Sequence, residues 1–311
     1  IATANSANAT NASVAPAPYY RVFRGVARAD ISREEFLLKL TTSFIPALPP
    51  LYAGKGGLAY LPALPPESKP AAVADEFALV AFESEEAYKA ARATPEGQRY
   101  GDLHWTVFDR ERTRTGGAVP LEGALVAETP YDVLGKPVDW QTGYSSFYIG
   151  LRKKGVSPEE FLKKMEEHVR VVAQALAPLG LDGYVMVAGN DYEAAYLHWP
   201  SQKAVEAAFA SEAARPVMET GAAILDNLLF VPVEPFTGTI KAGQAVNVRV
   251  AKAPARVLMI VNEGFQPNEY YEPRAIFERE GYEIKTASRY GQVTHPGRRY
   301  SDVKPVTPNF S

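Results

Sequence analysis

The chain has 311 residues, of which 46% are hydrophobic and 22% charged, a composition typical of a folded protein with room for two or three domains. Its net charge of -3 offers no basic surface to phosphate groups, so nucleic acid is not an expected partner. No stretch approaches the roughly 20 apolar residues of a transmembrane helix, and the lack of cysteine excludes disulfides and thiolate metal sites from these residues.

The first 18 residues are almost entirely Ala, Asn, Ser, Thr and Pro. Such a segment cannot bury a core, so we expect a disordered tail over residues 1–18. Glycosylation sequons begin at Asn8 and Asn11, and a third begins at Asn309. Because tails of this composition often follow a cleaved secretory signal, we expect an extracytoplasmic protein, periplasmic or secreted. The alternative is a solvated linker in which the sequons occur by chance.

The first predicted helix occurs twice in the chain. Residues 31–40 (ISREEFLLKL) match residues 156–165 (VSPEEFLKKM). In each copy a serine, Ser32 or Ser157, occupies the N-cap position and a glutamate follows three residues later, which is the capping-box pattern. Apolar residues at helical spacing then give each helix one face to bury.

A second predicted helix also recurs, and its spacing shows where the two copies differ. Residues 84–94 and 201–211 share the pattern S-x-x-A-x-x-A-A-x-A-[ST] at an offset of 117 residues, whereas the first helices are offset by 125. The first copy therefore contains eight additional residues between its helices, which we place in the proline-rich stretch 46–70.

Predicted strands complete each copy; they are 20–27, 58–64, 77–82 and 105–108 in the first copy and 146–152, 183–188, 194–199 and 228–233 in the second. Each copy then has the order β-α-β-β-α-β, the ferredoxin-like plan of an α+β fold. Two such tandem repeats resemble the dimeric α/β barrel superfamily, in which two ferredoxin-like sheets bury their open faces against each other. We assign repeat 1 to residues 19–135, repeat 2 to 136–240 and a linker to 241–254.

The last part of the chain, residues 255–311, has a different pattern. A continuous apolar run at 256–261 is typical of a strand buried in a parallel sheet, and a helix at 269–280 and a strand at 282–288 follow. The residues V-L-M-I-V-x-x-G-F-x-x-x-E-x-x-E-P and then E-G-Y-E-I-K-T-A-S resemble the start of the ThiJ/PfpI family, part of the class I glutamine amidotransferase-like superfamily. The resemblance implies the beginning of an α/β flavodoxin-like domain.

This resemblance also implies a catalytic role for Glu269. In the family, a glutamate in the first loop-to-helix turn hydrogen-bonds a cysteine nucleophile, and the resemblance implies hydrolase or lyase chemistry on small reactive carbonyls, amides or peptides. The chain contains no cysteine, so such chemistry would need a continuation beyond Ser311. The tandem repeats would then act as a binding or assembly region.

Three aromatic or basic residues of repeat 2, namely Tyr148, His198 and Trp199, are candidates for lining a small-molecule pocket in the barrel. The resemblance to dimeric α/β barrels implies small aromatic or polyketide-like ligands. Against this, the repeat equivalent of His198 is Ala81, and aromatic residues on strands more often pack in the core. The four histidines of the chain do not have the spacing of a metal site, and we predict neither a metal nor a cofactor.

These patterns leave three hypotheses for function. The first is a ThiJ/PfpI-like protein with a tandem ferredoxin-like binding or assembly region. The second is a non-catalytic structural or oligomerisation protein, whose partner is a second copy or another protein chain. The third is a cofactor-free barrel monooxygenase or isomerase, which requires a polar group inside an apolar cavity.

Overall fold

A computed structural model describes residues 17–250, 256–261, 265–279 and 282–288. Within these ranges, no helix is both long and apolar enough to cross a membrane. The sequons at Asn8, Asn11 and Asn309 lie outside the described residues.

The strands are β1 Tyr19–Gly25, β2 Gly57–Leu64, β3 Glu76–Phe82, β4 Arg114–Gly117, β5 Val119–Pro120, β6 Pro130–Asp132, β7 Tyr144–Arg152, β8 Gly183–Ala188, β9 Tyr192–Trp199, β10 Leu225–Pro235, β11 Gln244–Asn247, β12 Arg256–Val261 and β13 Glu283–Ser288. The helices are α1 Arg33–Lys39, α2 Ile45–Tyr52, α3 Glu85–Ala93, α4 Pro95–Val107, α5 Pro158–Leu176, α6 Gln202–Phe209, α7 Arg215–Ile224 and α8 Pro267–Arg279. A π-helical turn, Leu40–Phe44, joins α1 to α2.

Eleven of the described strands form one sheet, in the order β4-β1-β3-β2-β11-β10-β7-β9-β8-β6-β5. Its first four strands and the run β10-β7-β9-β8 each have the ferredoxin-like arrangement, with the fourth strand of the repeat beside the first. The predicted α+β fold is therefore confirmed, and the strand order shows two ferredoxin-like halves in one sheet.

The two half-sheets join along two seams. At one seam, β11 pairs in parallel with β10 and antiparallel with β2, so residues that the sequence assigns to a linker form a strand. At the other seam, β4 pairs with β1. The same stretch of chain continues past Ala118 as β5, which pairs with β6. These two connections make the sheet a nearly closed barrel.

The helix starts follow the local signals in the sequence. Ser32 accepts a hydrogen bond from the Glu35 N–H at 3.1 Å, and Ser157 accepts one from the Glu160 N–H at 3.2 Å. Both predicted capping boxes therefore have their N-cap serine in place, and each cap satisfies a backbone donor at the helix start.

Two details of repeat 1 differ from the sequence expectation. Residues 105–108, predicted as a strand, lie at the end of α4, and the fourth strand is β4. A run of four apolar residues fits one helical turn as well as a strand, so periodicity could not separate them. The eight additional residues lie in the loop between β2 and β3, which spans residues 65–75 against 189–191 in repeat 2.

The buried residues form three main layers, because each sheet face of the barrel packs separately. One layer fills the barrel interior with side chains from both repeats, including Phe77, Phe147 and Tyr196. A second layer lies between the sheet of repeat 1 and its helices, around Phe36. The third is its counterpart in repeat 2, around Phe161.

The C-terminal residues do not show the predicted flavodoxin-like domain. Within the described part, β12 and β13 form a parallel pair with α8 packed on it, and no further strand of the described chain joins them. The run at 256–261 was expected to be buried on both faces, yet Leu258 is 61% and Ile260 73% exposed. The described residues form a single β-α-β unit.

Candidate functional site

The interior of the barrel, where the sequence suggested a site, is lined by buried side chains of both repeats. At one end of the interior, the Trp140 indole N–H donates to the Tyr20 hydroxyl at 2.9 Å, and both side chains are buried. Toward the other end, buried Arg24 pairs with Glu128 at 3.5 Å, and Glu128 also accepts from the Tyr192 hydroxyl at 3.3 Å. The indole and hydroxyl at the first end are hydrogen-bonded, whereas Arg24 at the other end has an ion pair with Glu128 and two nitrogens, Nε and Nη1, without a hydrogen bond among the described residues.

The candidate residues of repeat 2 are engaged in structure. His198 is buried, with Nδ1 2.6 Å from an Asp182 carboxylate oxygen and Nε2 2.7 Å from the Thr142 carbonyl oxygen. Both ring nitrogens thus face hydrogen-bond acceptors. Trp199 is 1% exposed in the core of repeat 2, and the Tyr148 hydroxyl donates to the Asn227 side chain at 2.7 Å. The three residues therefore do not converge on one cavity.

A cleft of about 180 Å³ lies instead in repeat 1, between the outer face of its sheet and its helices. Its wall combines aromatic rings, two arginines and one histidine; the residues are Arg21, Phe23, Phe44, Leu48, Tyr52, Tyr60, Ala78, Val80, Tyr88, Arg92, Tyr100, Gly101, His104, Trp105 and Thr115. An apolar cleft with few polar groups is the usual form of a small-molecule site. We call it the repeat 1 cleft.

The histidine of this cleft is held by α4 and by aromatic rings. His104 Nδ1 lies 2.7 Å from the Tyr100 carbonyl oxygen, which can only accept, so Nδ1 carries the proton and Nε2 keeps a lone pair. The Phe44 ring meets the imidazole edge-on at a centroid distance of 4.7 Å. Burial lowers the His104 pKa to about 4. The imidazole is therefore neutral at pH 7, and its Nε2 can accept a hydrogen bond.

Two arginines border the cleft from opposite elements. Arg21 on β1 donates to the Tyr19 hydroxyl at 3.1 Å and lies 4.8 Å above the Tyr88 ring. Arg92 on α3 lies 5.5 Å from the centre of the Tyr100 ring, and its buried Nη1 has no hydrogen-bond partner among the described residues. A guanidinium with an unused donor beside an apolar cleft favours a ligand that carries negative charge.

The first helix of repeat 1 changes its winding where it reaches the cleft. The π-helical turn Leu40–Phe44 ends at the residue that packs on His104, and the Thr41 hydroxyl donates to the Leu37 carbonyl within it at 2.8 Å. Single π turns inside helices frequently occur at functional sites. In repeat 2 the corresponding α5 is a continuous helix of 19 residues.

Strand pairing shows which residues of the two repeats correspond. Tyr60 pairs with Val80 on β3, and Tyr184 pairs with Leu197 on β9, which are equivalent positions of the two repeats. The helices α4 and α7 end 117 residues apart, so His104 corresponds to Gly221.

Repeat 2 fills the space that repeat 1 leaves open. A Cβ atom at Gly221 would lie 3.1 Å from Cε1 of His168, so the absence of a side chain there admits the His168 ring from α5. Burial lowers the His168 pKa to about 4, and its Nδ1 lies 2.8 Å from the Thr220 hydroxyl. Each repeat therefore holds one histidine with a lowered pKa, half-buried on α4 in repeat 1 and buried on α5 in repeat 2.

In the sequence, His104 is only one of four histidines without the spacing of a metal site. A signal was present, because Tyr100 and His104 stand four residues apart on one helix face with Trp105 beside them. That pattern also describes an ordinary core-facing helix. Among the described residues, no cluster of His, Asp and Glu could hold a metal ion.

Glu269 lies in the first turn of α8, and its side chain is exposed. Its backbone N–H bonds to the Gln266 carbonyl at 3.1 Å, as expected at a helix start. The described residues bring no further catalytic group to it.

Comparison with known proteins gave no family model that matches the chain and no significant match among curated proteins. Among solved structures, the chain is similar to a candidate monooxygenase from Lactobacillus acidophilus, with 10% identity over 75% of this chain and 100% of that one and a TM-score of 0.36. It is also similar to an anthrone oxidase-like protein, with 13% identity over 69% and 89% of the two chains and a TM-score of 0.34. A candidate chlorite dismutase shares 8% identity over 68% and 90%, with a TM-score of 0.32.

The identification of residues 255–311 with the ThiJ/PfpI family was wrong. No family model matches any part of the chain, and none of the three structures named above belongs to that family. The physical reason is that a strand, an acid at a helix start and a second parallel strand occur in many β-α-β units. The catalytic role that the resemblance gave Glu269 is withdrawn with it.

Proposed function

We propose that this protein binds a small phenol or enol in the repeat 1 cleft and acts on it as a cofactor-free monooxygenase or isomerase. The observation that carries the proposal is a neutral histidine, His104, in an aromatic cleft bordered by Arg21 and Arg92. A cavity of about 150 Å³ can hold benzene. The volume of about 180 Å³ therefore suits one substituted aromatic ring.

The first chemical step is proton transfer to His104. Its Nδ1–H is held by the Tyr100 carbonyl, so Nε2 is the atom that accepts a proton from the O–H or acidic C–H of the ligand. The resulting anion lies in the same cleft as the guanidinium groups of Arg21 and Arg92. Charge stabilisation is strong there because the surrounding rings exclude water.

The anion then has two fates, which separate the two activities. With O₂ as the second substrate, a phenol gives a quinone: one oxygen atom enters the ring, the other leaves as water, and the phenol is oxidised. Without O₂, the proton returns to a different atom of the ligand, which is an isomerisation. The names of two similar structures, a candidate monooxygenase and an anthrone oxidase-like protein, point in the same direction.

The test begins with calorimetric titration of the full chain with phenol and 1-naphthol, followed by oxygen-electrode and product measurements under air and argon. We expect His104→Gln to reduce turnover at least 100-fold while probe affinity changes less than threefold. The matched control is His168→Gln, which removes the buried histidine of repeat 2 and should leave turnover intact. Absence of binding by the unaltered protein, or equal loss in both variants, would refute the proposal.

The guanidinium of Arg92 supplies a second test of the same cleft. Gly101 leaves room for it, since a Cβ atom there would lie 3.0 Å from Arg92 Nη2. We expect Arg92→Met to weaken binding of 4-hydroxybenzoate about tenfold, or about 1.4 kcal/mol, and binding of neutral phenol much less. The control is Arg215→Met, at an exposed arginine of α7. Equal weakening for both probes would show that Arg92 only shapes the wall.

The predicted partner and location stay predictions. A homo-oligomer, or a complex with another protein chain, is compatible with the exposed Leu258 and Ile260 of β12. Export from the cytoplasm rests on the composition of residues 1–18, of which residues 1–16 lie outside the described part of the chain.

A further inference from the structure

Glu76 is a fully buried carboxyl group with no hydrogen-bond partner among the described residues. It begins β3 opposite Gly25 of β1, and its exposed fraction is 0%. Neither side-chain oxygen has a hydrogen bond of ordinary geometry, although the Tyr60 hydroxyl is close enough to lower the Glu76 pKa against the larger effect of burial. An ionised carboxylate in such a position is very unfavourable, and burial raises the Glu76 pKa well above its ordinary value. Burial therefore favours the neutral carboxylic acid form of Glu76.

Tyr60 connects this acid to the repeat 1 cleft. It lies on β2, is 1% exposed and is one of the residues that line the cleft. Its hydroxyl has no hydrogen bond of ordinary geometry, although the Glu76 carboxyl lies close enough to affect the Tyr60 pKa after the larger effect of burial. The Tyr60 hydroxyl therefore lies between the cleft and the Glu76 carboxyl group.

The groups around Glu76 come from several elements. Tyr60 faces it from β2, Tyr100 from α4 and Tyr196 from β9, and each of these tyrosines has a pKa raised by burial and, further, by Glu76. Directly before Glu76 in the chain, Asp75 forms an ion pair with Lys69 at 3.1 Å. No cation among these groups neutralises Glu76, so the proton on the carboxyl is the stable arrangement.

Repeat 2 contains the same pair at the equivalent strand positions. Tyr184 and Glu193 are both buried, and the Tyr184 hydroxyl donates to the Glu193 carboxyl at 3.0 Å. Burial raises the Glu193 pKa to about 7. The pair of repeat 2 therefore has a hydrogen bond of ordinary geometry, whereas the hydroxyl and carboxyl groups of the repeat 1 pair are close together without one.

We propose that Glu76 and Tyr60 form a proton relay that serves the repeat 1 cleft. The Tyr60 O–H bond breaks as its proton passes to an oxygen or carbon of the ligand, and the Glu76 O–H proton passes to the tyrosine oxygen. Glu76 is a carboxylate only until the product leaves; His104 then gives up its proton to water, and a proton from water passes through the Tyr60 hydroxyl back to Glu76. This inference rests on the proposed function, in which His104 removes a proton from the ligand while Tyr60 supplies one at the other end.

Tyr60 is the catalytic residue of this relay, because it lines the cleft, and Glu76 is a positioning residue that acts through it. The experiment is infrared difference spectroscopy on the full chain with phenol as the probe. At pH 7 we expect a protonated carboxyl band that is missing in Glu76→Gln and that shifts when phenol binds. The shift should be absent in Tyr60→Phe, which keeps the acid but removes the link.

The matched controls are Glu193→Gln and Tyr184→Phe, which change the equivalent pair of repeat 2 and should leave the phenol-induced shift in place. In turnover, Glu76→Gln should lower kcat at least tenfold with KM within threefold. If phenol binds and the carboxyl band neither disappears in Glu76→Gln nor responds to phenol, the relay is wrong and the proposed function stands. If calorimetry shows no phenol binding to the unaltered protein, both are wrong.

Discussion

The two repeats share one sheet plan but differ in the layer between sheet and helices. In repeat 2, α5 is continuous and packs Met165, Val169 and His168 closely against the sheet and α7. In repeat 1, the first helix is interrupted by a π-helical turn, and aromatic and basic residues surround a cleft. The two repeats therefore have the same strand register, although the helix layer is a packed core in repeat 2 and surrounds a cleft in repeat 1.

The largest expected effect tests what the repeats have in common. Phe36 and Phe161 occupy equivalent positions, each with 0% exposure. We expect Phe36→Ala and Phe161→Ala each to lower the free energy of unfolding by about 3 to 5 kcal/mol, because each leaves a cavity in a helix-sheet core. Urea denaturation measures both. The exposed Leu38→Ala, on the same helix as Phe36, is the control and should cost far less.

Unequal losses of unfolding free energy in these two variants would also be informative. If Phe36→Ala costs much less than Phe161→Ala, the core of repeat 1 depends less on its first helix. The two helix-sheet cores would then differ in how much the first helix stabilises them.

Acidification gives the next largest effect. The pKa values of His104 and His168 are both about 4 in the folded chain, below the ordinary value of 6.5. The unfolded chain therefore binds protons first, so stability is present above pH 6.5 and is lost as the pH falls toward 4. Each histidine should account for up to about 3 kcal/mol of this loss.

Glu193 acts in the opposite direction over part of the same range. The pKa of Glu193 is about 7 in the folded chain, above the ordinary value of 4.5. Its contribution to the free energy of unfolding is therefore lost as the pH rises through 7. The measurement is therefore the difference in unfolding free energy between the unaltered chain and His104→Gln or His168→Gln, at pH 7 and at pH 4.5. A pH-independent difference for either variant would contradict the burial of a neutral imidazole.

The smallest effect concerns the helix starts. Ser32→Ala and Ser157→Ala should each cost about 1 kcal/mol, because each removes the oxygen that accepts the first-turn N–H. Ser43→Ala, at an exposed serine within the π-helical turn, is the control and should change stability less. Similar costs at both caps would show that the repeats differ in the cleft and not at the start of the helix. A negligible loss of stability for Ser32→Ala alone would show that the two repeats already differ at the start of the first helix.

Much of the fold could be predicted because its signals are local. The capping serines, the helical spacing after them and the recurrence at fixed offsets defined both repeats and most strands. The strand at 105–108 failed because four apolar residues carry too little periodicity. The strand β11 was missed because a strand of four residues gains its stability from its partners on both sides, β2 and β10. Both depend on contacts distant in sequence.

The candidate site was much less predictable. Its character depends on Glu76 and Tyr60, which are ordinary strand residues in the sequence and become unusual only when burial removes their hydrogen-bond partners. His198 gave the stronger sequence signal and is held by Asp182 and Thr142 instead. The C-terminal resemblance misled for the converse reason, since its pattern was easy to see and common to many β-α-β units.

The two seams of the barrel also determine how its stability responds to dilution. A barrel made of two separate chains loses its second half by mass action when the concentration falls below the dissociation constant. Here β11 and the stretch from β4 to β5 are parts of the same chain, so closing the barrel is an intramolecular step. Its formation is therefore independent of protein concentration, and every barrel carries the two repeats in a fixed ratio of one to one.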